Sequence, residues 1–343
     1  MTQHLPYSIT DSITDFTPSN PSPNSYQTPA TIWIRRALWT LAGVTFFLMA
    51  LGSATRVMNA GLSCPDWPLC YGEVIPAAQM NLQVFLEWFH RLVASSVGFI
   101  TLSLTIGCWW QKRQVPQWLP WGMSGALLLV IAQGVLGGLT VTQLLQFEIV
   151  TAHLGTGLFF FATLLTLALS LQPVALQSSA SANPSPTLIN GTNGTQNLAV
   201  HNLAIWGTTA TALLFGQSIL GALVASRWAL HQCFAGGELC TVMNSHLLGI
   251  APVTLSIVAM IFVTKRTAGV SPWLKRLAHS SGILLVCQLI IGYSTYRLRL
   301  QVEPLTVAHQ ATGAALLGVL VCYTVITWQM RRVANQTTPQ SLS

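Results

Sequence analysis

Eight apolar runs, near residues 33–54, 84–109, 118–140, 149–171, 202–225, 243–264, 277–296 and 305–329, leave this chain few ways to fold. Each is long enough to cross a hydrocarbon core of about 30 Å, which takes about 20 helical residues. An unpaired backbone group in lipid costs several kcal/mol, so spans this continuous are helices and not the strands of a barrel. Charged residues make up 7% of the chain and hydrophobic ones 52%, too few charges to solvate a globule and too much apolar surface to hide in one. The sequence predicts an all-α, polytopic membrane protein with eight transmembrane helices.

The formal net charge of +7 comes from small basic pairs between the spans, with no basic helix face and no nucleic-acid motif. These pairs are topology signals. Arg35, Arg36, Lys112, Arg113, Lys265, Arg266, Lys275, Arg276, Arg331 and Arg332 fall on one side, and Arg56, Arg227, Arg297 and Arg299 on the other. The excess places both termini in the cytoplasm. Residues 1–30, rich in Pro, Ser and Thr and without Lys or Arg, resemble neither a secretory signal nor a transit peptide and read as a disordered tail. That composition favours a plasma (inner) membrane. Residues 172–200 form a low-complexity, flexible cytoplasmic linker, whose two Asn-Gly-Thr sequons face the wrong side for glycosylation.

The linker divides the chain into two sets of four spans, 31–171 and 201–330, followed by a tail at 331–343. A shift of 156 residues lays His90 on His246 and His153 on His309, and aligns "TAHLGTGL" (151–158) with "VAHQATGA" (307–314). A shift of 155 pairs Gln133, Gly137 and Thr140 with Gln288, Gly292 and Thr295; a shift of 169 pairs Gly52 with Gly221 and Cys64 with Cys233. The expected architecture is two tandem four-helix bundles related by an internal repeat.

Each of the four histidines lies in the first turns of an even-numbered helix, entering from the outer side. An ionisable or ligating side chain inside a span is expensive and marks function by default. Two imidazoles per four-helix half, at similar depth, suit bis-histidine axial ligation of heme iron; the other reading of each histidine taken alone is a hydrogen bond to a neighbouring helix. Thr156 and Gly157, and likewise Thr312 and Gly313, share a helical face with the histidine before them and leave room for a flat macrocycle. His4, His201, His231 and His279 have no repeat partner; His231 lies in an outer loop near the second site.

Cys64 and Cys70, in "SCPDWPLC", and Cys233 and Cys240, in "CFAGGELC", fall in outer loops where disulfides persist. Either pair could staple its loop as a lid over the histidines. A thiol redox role is the other reading, with more support at Cys64 and Cys70. The halves differ at one site position: Glu87 precedes His90 by three residues, and its counterpart before His246 is Met243. A symmetric electron carrier needs no such acid, whereas an enzyme that oxidises a substrate in one half does; the other reading of Glu87 is a helix N-terminal carboxylate stabilised by the dipole and solvated at the interface. Arg56, Arg91 and Arg227 are outer-side cations suited to heme propionates, or to interfacial snorkelling.

The element "EWFHR", the loop "GLSCPDWPLC" and the paired "AH..TG" elements resemble the heme A synthase family. The resemblance covers all eight spans and excludes the tail and linker. It implies a membrane enzyme that converts heme O to heme A for terminal oxidases, oxidising a ring methyl to a formyl group through a hydroxymethyl intermediate. It further implies that His90 and His153 hold heme O, that Glu87 serves the oxidation, and that His246 and His309 ligate heme B. Heme O would arrive from a heme O synthase in the same lipid bilayer. The rival reading is a two-heme cytochrome exchanging electrons with quinone; a transporter, favoured by the repeat alone, lacks paired mid-span charges.

Overall fold

The computed structural model describes residues 26, 28–172, 193–225 and 240–337. Most of the tail at 1–30, the linker from 173 to 192, Arg227, His231 and Cys233 lie outside the described residues. Eight helices are long and apolar enough to cross a membrane. They are α1 (Pro29–Val57), α2 (Leu82–Trp110), α3 (Leu119–Thr142), α4 (Phe147–Ser170), α5 (Asn193–Val224), α6 (Thr241–Arg266), α7 (Pro272–Arg297) and α8 (Glu303–Thr337). The described residues contain no strand beyond an isolated bridge between Cys70 and Glu73. α5 starts at Asn193, inside the stretch the sequence delimits as linker, because the last proline before the span is Pro186.

Local chemistry sets the helix starts. Thr28 accepts from Thr31 N–H ahead of Pro29, Asn81 accepts from Val84 N–H, and Ser271 accepts from Leu274 N–H ahead of Pro272. Lys265 and Arg266 end α6, where a cation meets the negative end of the helix dipole.

The helices form two rings with the same neighbour pattern. α1 packs on α2, α2 on α3, α3 on α4 and α4 back on α1; α5, α6, α7 and α8 close in the same order. α2 and α4 thus stand at opposite corners of one ring, as α6 and α8 do in the other. The rings meet through α1 with α8, α4 with α8 and α4 with α5. α4 and α8 are accordingly the most buried spans, at 50% and 56% of their apolar windows against 11% in α3 and 17% in α7.

Small residues let this seam close. Phe161 of α4 lies against Gly318 of α8, and Ile219 of α5 against Gly155 of α4. Tyr323, fully buried on α8, packs against Gly207 and exchanges a 2.6 Å hydrogen bond with Thr264. The turns after α3 and α7 also match. Leu144 and Leu145 have φ of 52° and 60°, and Arg299 and Leu300 have φ of 50° and 60°. In each, the second residue's N–H returns to a threonine carbonyl, Thr140 or Thr295. Left-handed backbone costs a non-glycine residue roughly 1–2 kcal/mol, so two such turns reflect a shared packing demand.

Candidate functional site

The four histidines occupy equivalent corners. His90 on α2 and His153 on α4 face across the first ring within electrostatic reach of one another, and so do His246 on α6 and His309 on α8 in the second. Each imidazole leans on a glycine of the preceding helix. A Cβ would stand 2.8 Å from His90 Cε1 if added to Gly52, and 3.4 Å from His153 Cε1 if added to Gly137. The corresponding distances are 3.1 Å from Gly221 to His246 and 2.7 Å from Gly292 to His309. Where the gap is under 3 Å, a side chain at the glycine would force the imidazole to shift.

Among the described residues the buried Nδ1 atoms of His90, His153 and His309 have no hydrogen-bond partner. A buried polar atom left unpaired costs about 1–3 kcal/mol, and such atoms concentrate where a ligand completes the site. Among the described residues no three His, Cys, Asp or Glu side chains converge as a metal cage. The donor set is two imidazoles per ring, which fits an iron already held in the plane of a macrocycle.

Of a second set of side chains, Gln133 and Gln288 were legible only as an unexplained repeat match and Gln217 was not legible at all. Gln133 on α3 donates to the His153 carbonyl at 2.9 Å. Gln217 on α5 donates to the His246 carbonyl at 2.6 Å and lies 3.0 Å from His246 Nδ1. Gln288 on α7 lies 3.4 Å from His309 Nε2. Gly157, Gly249 and Gly313 take up these amides, which abut the space a Cβ would fill. The small residues after the histidines therefore admit glutamine, and clearing room for a macrocycle is not their only use. The signal was a Gln four residues before each glycine, in Gln133–Gly137, Gln217–Gly221 and Gln288–Gly292.

The loop between α1 and α2 is built onto α2. Cys64 and Cys70 form a disulfide, and both are buried. Glu87, 4% exposed, accepts the Cys64 N–H at 2.9 Å through Oε2 and pairs with Arg91 at 2.6 Å through Oε1. The remaining Arg91 bonds go to the carbonyls of Asp66 and Leu69, at 2.7 Å each, and of Cys64 at 3.4 Å. Asp66 accepts from Tyr71 and Gly72 N–H at 2.6 and 2.8 Å. The Gly72 N–H foremost, with that of Tyr71, holds its carboxyl below the usual carboxylate range. Trp67 reaches over to α3 and stacks against Gly138, next to the glycine that backs His153. The loop thus covers one end of the first ring from α2 to α3. Cys240 is disulfide-bonded as well.

Over residues 35–321 the chain matches the family described as COX15-CtaA, cytochrome oxidase assembly protein. The chain belongs to this family. Among curated proteins it is similar to the heme A synthase of Caulobacter vibrioides, at 25% identity over 89% of this chain and 96% of that protein. The heme A synthase of Erythrobacter litoralis is 24% identical over 83% of this chain and 94% of its own length. That of Shewanella oneidensis is 30% identical, with 56% of each chain aligned. In this family member Arg56 does something the sequence did not indicate. It leaves α1 to donate to Gln310 Oε1 on α8 at 3.0 Å, beside His309, while its Nη1 is buried without a partner.

Proposed function

We propose that this protein is a heme A synthase, oxidising a ring methyl group of heme O to a formyl group by way of a hydroxymethyl group. The observation that carries the reading is the pair of diagonal histidine sites with, among the described residues, a buried carboxylate beside only one of them. His90 and His153 hold the substrate heme O, and His246 and His309 hold a resident heme B. Bound there, heme B supplies one-electron redox chemistry.

Glu87 is the catalytic residue of the substrate half. Its ion pair with Arg91 and its bond from Cys64 N–H hold a carboxylate one helical turn from His90, able to take a proton or face an electron-poor carbon. Each of two successive oxidations breaks a C–H bond of the methyl carbon, forms a C–OH bond and passes two electrons to an oxidant from outside the protein; the resulting geminal diol loses water to leave the aldehyde. The loop from Cys64 to Cys70 excludes water from this end of the ring. Of the three outer arginines, Arg56 has a free buried donor for a propionate, Arg91 is engaged with the loop, and Arg227 remains a candidate from its position in the sequence.

The protein lies in the plasma membrane with both termini cytoplasmic, receives heme O from a heme O synthase, and supplies terminal oxidase assembly. The test is the mass of the hemes extracted after expression in a host that makes heme O. Heme B together with heme A or hydroxylated heme O is the expected result. Heme B alone would replace this reading with the two-heme cytochrome exchanging electrons with quinone, which the matching rings would equally serve.

A further inference from the structure

Three of the four histidine sites share one arrangement, and the fourth lacks it. Gln133, Gln217 and Gln288 each stand one helical turn before the glycine that backs a histidine, and each amide reaches that histidine from the preceding helix. The same position on α1, one turn before Gly52, is Leu48. Leu48 has no hydrogen-bonding group and packs with the apolar core. Among the described residues His90 Nδ1 has no partner, as is also true of His153 and His309, but His90 alone of the four histidines has no amide reaching its ring or its backbone carbonyl.

Resting on the heme-ligand reading above, we propose that Gln133, Gln217 and Gln288 are positioning residues that fix His153, His246 and His309, and that His90 is the ligand left free to exchange. The physical basis is the hold that an outer partner exerts on a ligating imidazole. A hydrogen bond to the ring nitrogen that does not bind the metal sets the imidazole's orientation, and removing such a partner typically weakens a metal site about 10–100-fold; a bond to the residue's backbone carbonyl steadies the helix segment that carries the ring. Gln217 acts on both the His246 carbonyl and its ring, and Gln288 acts on the His309 ring, so the second ring is held at both corners. The first ring is held only at His153, where Gln133 bonds the carbonyl.

This asymmetry matches the two tasks of the chain. A resident group needs two fixed ligands, whereas a substrate that enters and leaves needs one that lets go. His90 is also the histidine under the loop that Glu87 and Arg91 tie down. The exchanging corner and the cover over it therefore belong to the same helix.

The experiment is carbon monoxide binding to the dithionite-reduced holoprotein, followed by rapid mixing. One heme of the wild type is expected to bind CO, and to do so still in H309A, which removes the second heme. L48Q should slow that binding by about tenfold or more, and Q217L and Q288L should each make the second heme CO-reactive. Two hemes equally reactive in the wild type, or Q217L and Q288L proteins whose second heme stays inert, would overturn the proposal even if L48Q fails to fold. A protein that holds both hemes and modifies neither would sink the proposed reaction while leaving this inference standing.

Discussion

The backbone N–H of Cys64 donates to Glu87 Oε2 at 2.9 Å, which makes the disulfide loop and the carboxylate beside His90 one unit. Any change at Glu87 is felt in the loop, and any opening of the loop frees Glu87. A hydrogen bond to a charged group contributes about 1.5–3 kcal/mol. E87A should therefore abolish heme A formation and also raise the rate at which dithiothreitol reduces Cys64–Cys70, by roughly tenfold. E87Q, which keeps an acceptor for Cys64 N–H but loses the ion pair, should lie between. Wild-type heme A yield in E87A would remove Glu87 from the chemistry.

The glycines behind the histidines give a graded series. G292A and G52A place a Cβ 2.7 and 2.8 Å from the imidazoles of His309 and His90, inside any tolerated contact, whereas G137A leaves 3.4 Å to His153. Alanine adds up to about 1 kcal/mol of helix propensity at each site, so the outcome turns on the contact. Heme content per protein, read from absorbance, should fall sharply in G292A and G52A and little in G137A. G43A, with open space around it, is the control and should match the wild type.

Among the described residues Arg56 is a buried cation that donates to a neutral amide on the other ring and pairs with no carboxylate. Replacing an uncompensated buried charge by an apolar residue of similar volume is often neutral or stabilising. R56M should leave the thermal stability of the heme-free protein in detergent unchanged or higher, yet lower heme retention. A loss of stability in the heme-free protein with heme retention intact would make Arg56 a seam residue and nothing more.

The Asp66 clasp gives a pH window. Its carboxyl lies below the ordinary value of 3.8 in the folded loop, so its contribution is present above that pH and is lost as pH falls through the lowered value. Protease resistance of the loop, measured in D66N against the wild type, should therefore differ throughout the neutral range. The wild type should approach D66N only below about pH 4. Convergence already at pH 6 would rule out Asp66 as the group that closes the loop.

The spans were readable because each is a property of its own residues. Twenty consecutive apolar side chains exclude every alternative to a helix in lipid, whatever packs beside them. The histidines were readable for the same reason: a polar ring inside such a run stands out locally, and one shift brought His90 onto His246 and His153 onto His309. The glutamines were harder. Gln133 and Gln288 surfaced as repeat matches without a role, and Gln217 did not surface, since an amide in a span gains its meaning from what faces it.

What the sequence by itself determined is the set of eight spans, the all-α class and the four imidazoles, because hydrophobicity and helical periodicity act within one segment. Only the tertiary structure decided which partners those groups meet. The ring order sets His90 across from His153, bends Arg91 over the carbonyls of a loop 22 to 27 residues away, and brings Arg56 to Gln310 across 254 residues of chain. Such contacts depend on how two helix surfaces interlock, and that is fixed by the shapes of both surfaces together, with no imprint in the composition of either.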